Sequence, residues 1–147
     1  MKRLAFKILA PTILLGLFGA ARSYAQIENR VDVNVPFSFY AGSTLLPAGS
    51  YTISPISGAP LTLLVRSENE KVGVVIETVP AEATNLPKET DLVFDELAGK
   101  HFLSMIWVDG SSMGYQVLPS PMHEQLLNKQ PQHSHRYAKA SHIRKEK

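Results

Sequence analysis

From Val31 the chain alternates without interruption, Val31, Val33, Val35, Phe37 and Phe39 on one side, Asp32, Asn34, Pro36 and Ser38 on the other. A period of two predicts a half-buried β-strand, because successive side chains leave opposite faces of the pleat. Pro36 has no N–H to donate, so this strand lies at a sheet edge or carries a bulge. Gly42 and the run Leu46-Pro47-Ala48-Gly49 then supply turn chemistry. A second strand follows at Tyr51, Ile53 and Pro55, is broken by Ser57-Gly58-Ala59-Pro60, and gives way to a third over Leu61 to Arg66. Beyond the polar turn Ser67 to Glu70, a fourth strand over Val72 to Glu77 is apolar on nearly both faces and is expected at the centre of the sheet.

The stretch from Val79 to Thr90 holds Pro80 and Pro87, shows no period, and reads as a long and mobile loop. Asp91 to Leu97 and His101 to Val108 are β-rich runs whose spacing around Ala98-Gly99-Lys100 predicts a hairpin. Strict alternation places Phe102, Ile106 and Val108 on one face of the second run and Leu103, Met105 and Trp107 on the other, so both faces need cover. A Gly- and Ser-rich turn over 109–114 leads to a last short strand at Tyr115 to Leu118. Ser120-Pro121 reads as an N-cap followed by proline at the first helical position, opening a helix through Lys129 with Met122, Leu126 and Leu127 on one side. A helix this short is not stable alone in water and must dock. The expected fold class is all-β, a small antiparallel β-sandwich or barrel of six to seven strands with a short C-terminal helix and a disordered tail.

Residues 1–25 stand apart from this pattern. Lys2, Arg3 and Lys7 precede the apolar run Ile8 to Ala21, and Ser23-Tyr24-Ala25 places small residues three and one positions before a cut ahead of Gln26. That is the layout of a cleaved secretory signal. The apolar run is too short, and too broken by Pro11, Gly16 and Gly19, for a membrane span. The expectation is an exported protein, periplasmic or extracellular, with no transmembrane span in its mature form. Its organisation is a signal over 1–25, a β domain over 26–120, a helix over 121–129, and a basic, His-containing tail over 130–147 that is too poor in large apolar residues to fold. With no cysteine in the chain, packing alone must hold the domain together.

Charge sharpens the division between body and tail. The whole chain carries 15 Lys/Arg against 13 Asp/Glu, a net +2. Loss of Lys2, Arg3, Lys7 and Arg22 with the signal leaves 11 against 13, a net −2. Within the mature chain, residues 26–120 hold 5 Lys/Arg and 11 acids (−6), whereas 121–147 hold 6 and 2 (+4). Such asymmetry marks an interaction arm. Arg136, Lys139, Arg144 and Lys145 are the tail residues expected to meet an anionic envelope surface, and an envelope protein is the other partner considered. Export argues against nucleic acid. Leu103, Met105 and Trp107 are expected to form a second, apolar interaction surface if nothing in the chain covers them.

No catalytic constellation stands out. Without Cys, and with His101 as the one histidine before the helix, nucleophilic catalysis would rest on His101, and there is no G-x-S-x-G elbow. Asp95, Glu96 and Glu77 offer carboxylate pairs for glycosidase chemistry, but neighbours on a strand point to opposite faces. His133 and His135, flanked by His123 and His142, are the candidate metal ligands, loosely spaced and not preorganised. No cofactor is expected. These readings favour an exported, non-enzymatic β module that binds a ligand or builds the envelope, over a small hydrolase using His101 with strand carboxylates.

Val33 to Ile53, V-N-V-P-F-S-F-Y-A-G-S-T-L-L-P-A-G-S-Y-T-I, resembles the signature of a family of short, uncharacterised secreted bacterial proteins that join a V-P-F-x-F strand to an L-P-A-G-x-Y turn. F-L-S-M-I-W at Phe102 to Trp107 and L-P-x-P from Leu118 are similar to the same family, and the likeness covers roughly residues 31–120. The resemblance implies secretion but no activity, ligand or site residue, and the His-bearing tail departs from the family pattern. The P-A-G-x-Y-T element also resembles turns of prealbumin-like β-sandwiches.

Overall fold

The computed structural model describes residues 30–69, 72–129 and, as backbone alone, 136–142. Residues 1–25, read from the sequence as a signal, and His133, His135, Arg144 and Lys145 lie outside these residues. Nine strands fall between Val31 and Val117, where the hydrophobic pattern predicts six to seven. The excess arises at Pro36. The first alternating run stops there as β1 (Val31–Val35), resumes as β2 (Phe39–Ala41), and turns through Gly42, at φ 59°, into β3 (Thr44–Leu46). Its alternation persists across the break, since Val31, Val33, Val35 and Phe39 are all buried.

The next strands follow the predicted order: β4 (Gly49–Ile56), β5 (Ala59–Ser67), β6 (Gly73–Glu82), β7 (Asp91–Leu97), β8 (Lys100–Trp107) and β9 (Met113–Val117). β7 and β8 form the expected hairpin, with a loop of Ala98 and Gly99 only, both at positive φ (50° and 71°), so that Lys100 already belongs to the strand. Two central residues at positive φ match the right-handed twist of the flanking strands. β6 is longer than predicted, because its second half pairs with β9 through Pro80 and Tyr115. Its ladder with β5 ends at Glu77, so beyond that point β6 has β9 as its one partner. A proline is tolerated on such a one-sided stretch. The aperiodic loop is thereby shortened to residues 83–90.

Helix α1 (Pro121–Lys129) forms where the capping signal places it, with the His123 N–H donating to the Ser120 hydroxyl at 3.4 Å and the Glu124 N–H to the Ser120 carbonyl at 2.9 Å. Its buried residue is His123, not Met122, Leu126 or Leu127, which are half-buried. After the helix the backbone of Arg136–His142 runs as a further strand, β10, antiparallel to both β7 and β1. Part of the tail that composition reads as unable to fold is thus paired along its backbone. Composition reports the apolar area a segment can bury, whereas a ladder is made by backbone N–H and C=O groups that every residue here carries.

β10 also decides the architecture. Antiparallel pairings run β1–β4–β5–β6–β9–β8–β7–β10 and return to β1, one sheet closed on itself. The open choice between sandwich and barrel resolves to a closed ring, which leaves no long unpaired edge within it. The β2–β3 hairpin hangs from β8 through a single parallel bridge, Tyr40 to Phe102. Inside lie Val33, Tyr51, Ile53, Leu63, Ile76, Leu92, Phe94, Leu103 and Ile106, each at most 2% exposed. The buried Tyr51 hydroxyl donates to the Pro47 carbonyl at 2.5 Å, which removes the cost of burying it unpaired. Among the described residues no helix is long and apolar enough to cross a membrane.

Candidate functional site

β8 departs from strict alternation, and this sets what its two faces present. Leu103 is registered with Phe94 and Met105 with Val93, leaving Ser104 as an extra residue whose hydroxyl donates to the Val93 carbonyl at 3.2 Å. The extra residue is a β-bulge, which reverses the facing of everything beyond it. Leu103 therefore joins Ile106 in the core, and Phe102 is left outside it. This corrects both the pairing of Phe102 with Ile106 and the reading of Leu103 as a surface residue.

Phe102 is nevertheless 1% exposed, because two other elements cover it. The Tyr40 ring stacks on one side at 5.0 Å and the His123 imidazole at 4.5 Å, 13° from parallel. Lys100 Nζ lies 5.8 Å from the Tyr40 ring centre, and His123 Nε2 lies 3.0 Å from Asp95 Oδ2. The column Lys100, Tyr40, Phe102, His123, Asp95 thus fastens the β2–β3 hairpin and α1 to the outside of the β7–β8 hairpin. A His–Asp pair also occurs in hydrolases, where the acid orients the imidazole toward a nucleophile. Here no serine or threonine hydroxyl among the described residues bonds to the ring, and the His123 side chain is 6% exposed. The pair joins α1 to β7.

His101 stacks on Phe37 at 4.2 Å and is registered opposite Glu96. The pairings do not gather the carboxylates, since Asp95 is engaged by His123 and Glu77 lies on β6, separated from β7 by β9 and β8. Among the described residues no three His, Cys, Asp or Glu side chains group as metal ligands.

A different place has the shape of a binding site. A cleft of about 320 Å³ opens beside Trp107, lined also by Asn85, Pro87, Lys88, Glu89 and Asp91. Its walls are the loop 83–90 and the end of β8. The Ala83 N–H donates to the Ser112 carbonyl at 2.8 Å, the Gly110 N–H to the Pro87 carbonyl at 3.1 Å, and the Asp109 N–H to the buried Thr90 hydroxyl at 3.2 Å. The segment expected to be mobile is strapped along its length to the 108–112 turn. Trp107 is positioned by Gly114, where an added Cβ would lie 2.6 Å from the indole Cζ3 and 2.8 Å from the Ile106 carbonyl oxygen. The absence of a side chain at Gly114 is what lets the ring lie against β9.

Of the residues singled out from the sequence, Trp107 is half-buried at this cleft, Met105 is half-buried, and Arg136 and Lys139 belong to β10. Asn85, Lys88, Glu89 and Gly114 were not legible as site residues, and His123 was read only as a flank of the candidate metal ligands. The one sequence signal for them is a glycine in the Ser-Ser-Met-Gly run of 111–114, close to the only tryptophan.

A second cleft, of about 450 Å³, lies over β4 and β5 between Arg30, Thr52, Ser54, Arg66 and Glu68. Arg30 Nε donates to Asp32 at 2.9 Å and Nη2 to Glu68 at 3.4 Å, and the Thr52 hydroxyl donates to the same Asp32 oxygen at 2.9 Å. The hydrogen bond to Asp32 pushes the guanidinium pKa above its ordinary value, with the charges of Asp32 and Glu68 adding to it. With its acids in place, Arg30 offers an incoming anion little net attraction. No family model matches the chain, and no similar curated protein or solved structure was found.

Proposed function

We propose that the mature chain is an exported, non-enzymatic binding module of the cell envelope, and that it holds a saccharide in the cleft beside Trp107. The observation that supports this reading is an indole seated on Gly114 at the edge of a cleft whose other polar groups are an amide, an ammonium and carboxylates. Sugar rings present apolar C–H faces to an aromatic plane and hydroxyls to polar neighbours, so a fixed ring with convergent polar groups suits them. A fixed aromatic also loses little side-chain freedom on binding. The basic n-region, apolar run and Ser23-Tyr24-Ala25 support export, as does the resemblance of Val33 to Ile53 to secreted proteins.

Trp107 is the only tryptophan, so fluorescence excited selectively at tryptophan reads this cleft. Titration with soluble N-acetylglucosamine oligomers is expected to give a saturable change in emission and a binding heat, and Trp107→Ala, shown to be folded by circular dichroism, is expected to lose the heat. Emission and heat that stay flat to millimolar oligomer would overturn the ligand assignment. Export is read separately, by intact mass after expression in a Gram-negative host, which is expected to give a chain beginning at Gln26.

A further inference from the structure

The ring is closed by its chemically least typical member. β10 (R-Y-A-K-A-S-H) carries Arg136 and Lys139 and no acid, whereas its neighbours β7 (D-L-V-F-D-E-L) and β1 (V-D-V-N-V) carry Asp91, Asp95, Glu96 and Asp32 and no base. Register sharpens the match, since Arg136 is paired with Glu96 and Tyr137 with Asp95. Opposite the core residues Phe94 and Leu92 stand Ala138 and Ala140, the smallest side chains of the strand. Without β10, the edges of β7 and β1 that face it would have no partner in the ring, and unpaired edges are templates for another chain.

We propose that the space between β1 and β7 is a strand-acceptor site selective for a basic extended segment, and that it takes β10 from a second copy of this chain as well as from its own. β10 is the last of the described strands and its ladders are those with β7 and β1, so releasing it breaks no other described ladder. Every copy carries both the acidic slot and the basic strand. Two copies that exchange strands restore every backbone hydrogen bond in both slots and form a closed, two-fold pair. Backbone pairing supplies affinity, as in other cases of strand addition, while the opposed charges select the partner. The inference does not depend on the ligand at Trp107.

The absence of cysteine makes the test clean. Val93 and Lys139 are cross-strand partners, and such pairs stand about 4.5–5.5 Å apart at Cα, within disulfide reach. Full-length Val93→Cys and Lys139→Cys variants carrying different tags are mixed at high concentration and then oxidised. The expected result is a mixed disulfide well above its statistical share over the two homodimers. A statistical share, with the double variant closing only within its own chain, would show that β10 never leaves home and would overturn the proposal.

A second arm uses a chain ending at Lys129 and a synthetic peptide of residues 130–147. The shortened chain is expected to melt several degrees lower, and the peptide to recover most of that loss at low salt and less at high salt. A peptide with Arg136→Glu and Lys139→Glu is expected to recover little. Equal melting of short and full chains, or destabilisation that no peptide relieves, also overturns it. Should the short chain fail to fold, the disulfide arm decides.

Discussion

Gly114 shows how much one missing methyl group can decide. Its backbone fits against Trp107 only because nothing projects from it, and the nearest backbone atom to an added Cβ, the Ile106 carbonyl oxygen at 2.8 Å, belongs to the paired strand and cannot easily yield. Gly114→Ala must therefore push the indole off β9. The expected loss is about 1–3 kcal/mol, the range for forcing extra volume into a packed site, measured by urea unfolding. Because the chain has one tryptophan, the same variant is expected to shift the emission of the native state. Loss of stability with unchanged emission would mean that the strain is taken up by β9 and not by the ring.

Between elements, the fastening is a mixture of stacking and one hydrogen bond. α1 has only nine residues and would not persist alone, so its docking rests on what it sets against the β7–β8 hairpin. His123 supplies both contacts, a ring face on Phe102 and a nitrogen on Asp95, with side chains 6% and 14% exposed. Removing either partner leaves the other polar group buried and unpaired. Asp95→Ala and His123→Ala are each expected to lose about 1–3 kcal/mol. The double variant is expected to lose clearly less than the sum, as residues in direct contact do. Additive losses in this cycle would show that the pair is not coupled and that stacking alone holds the helix. The bulge at Ser104 belongs to the same scale, since it turns Phe102 outward to receive the helix while keeping Leu103 inside.

For the molecule as a whole, the ring is closed by a strand with a short ladder to one of its neighbours. β10 sets alanines opposite Phe94 and Leu92, and its ladder with β1 is short, Val33 with His142 and Asn34 with Ser141. Regions with few buried apolar contacts open at a lower free energy than the global transition. Native-state hydrogen exchange is expected to find the β10 amides opening before those of β4, β5 and β8. Equal protection of all these strands would make the ring a single cooperative unit.

How far the sequence reaches follows from what each signal measures. Alternation reports which side of a strand faces an interior, and it located the strand runs at 31–39, 51–55, 61–66, 91–97 and 101–108, while Ser120-Pro121 marked the helix start. Each of these is a local preference carried by the residues themselves, as are the absence of cysteine and the charge contrast between body and tail. The parity of β8 was not legible, because a bulge is settled by the partner strand and Ser104 looks like any polar residue in sequence. β10 was not legible either, since its place depends on two acidic neighbours more than 35 residues earlier in the chain and the residues registered opposite Phe94 and Leu92 are alanines. The cleft beside Trp107 needs Asn85 and Lys88 from one loop, Gly114 from another strand and the ring from a third element. A closed ring, a covered Phe102 and a positioned indole are properties of which strands meet, and only the tertiary structure decides that.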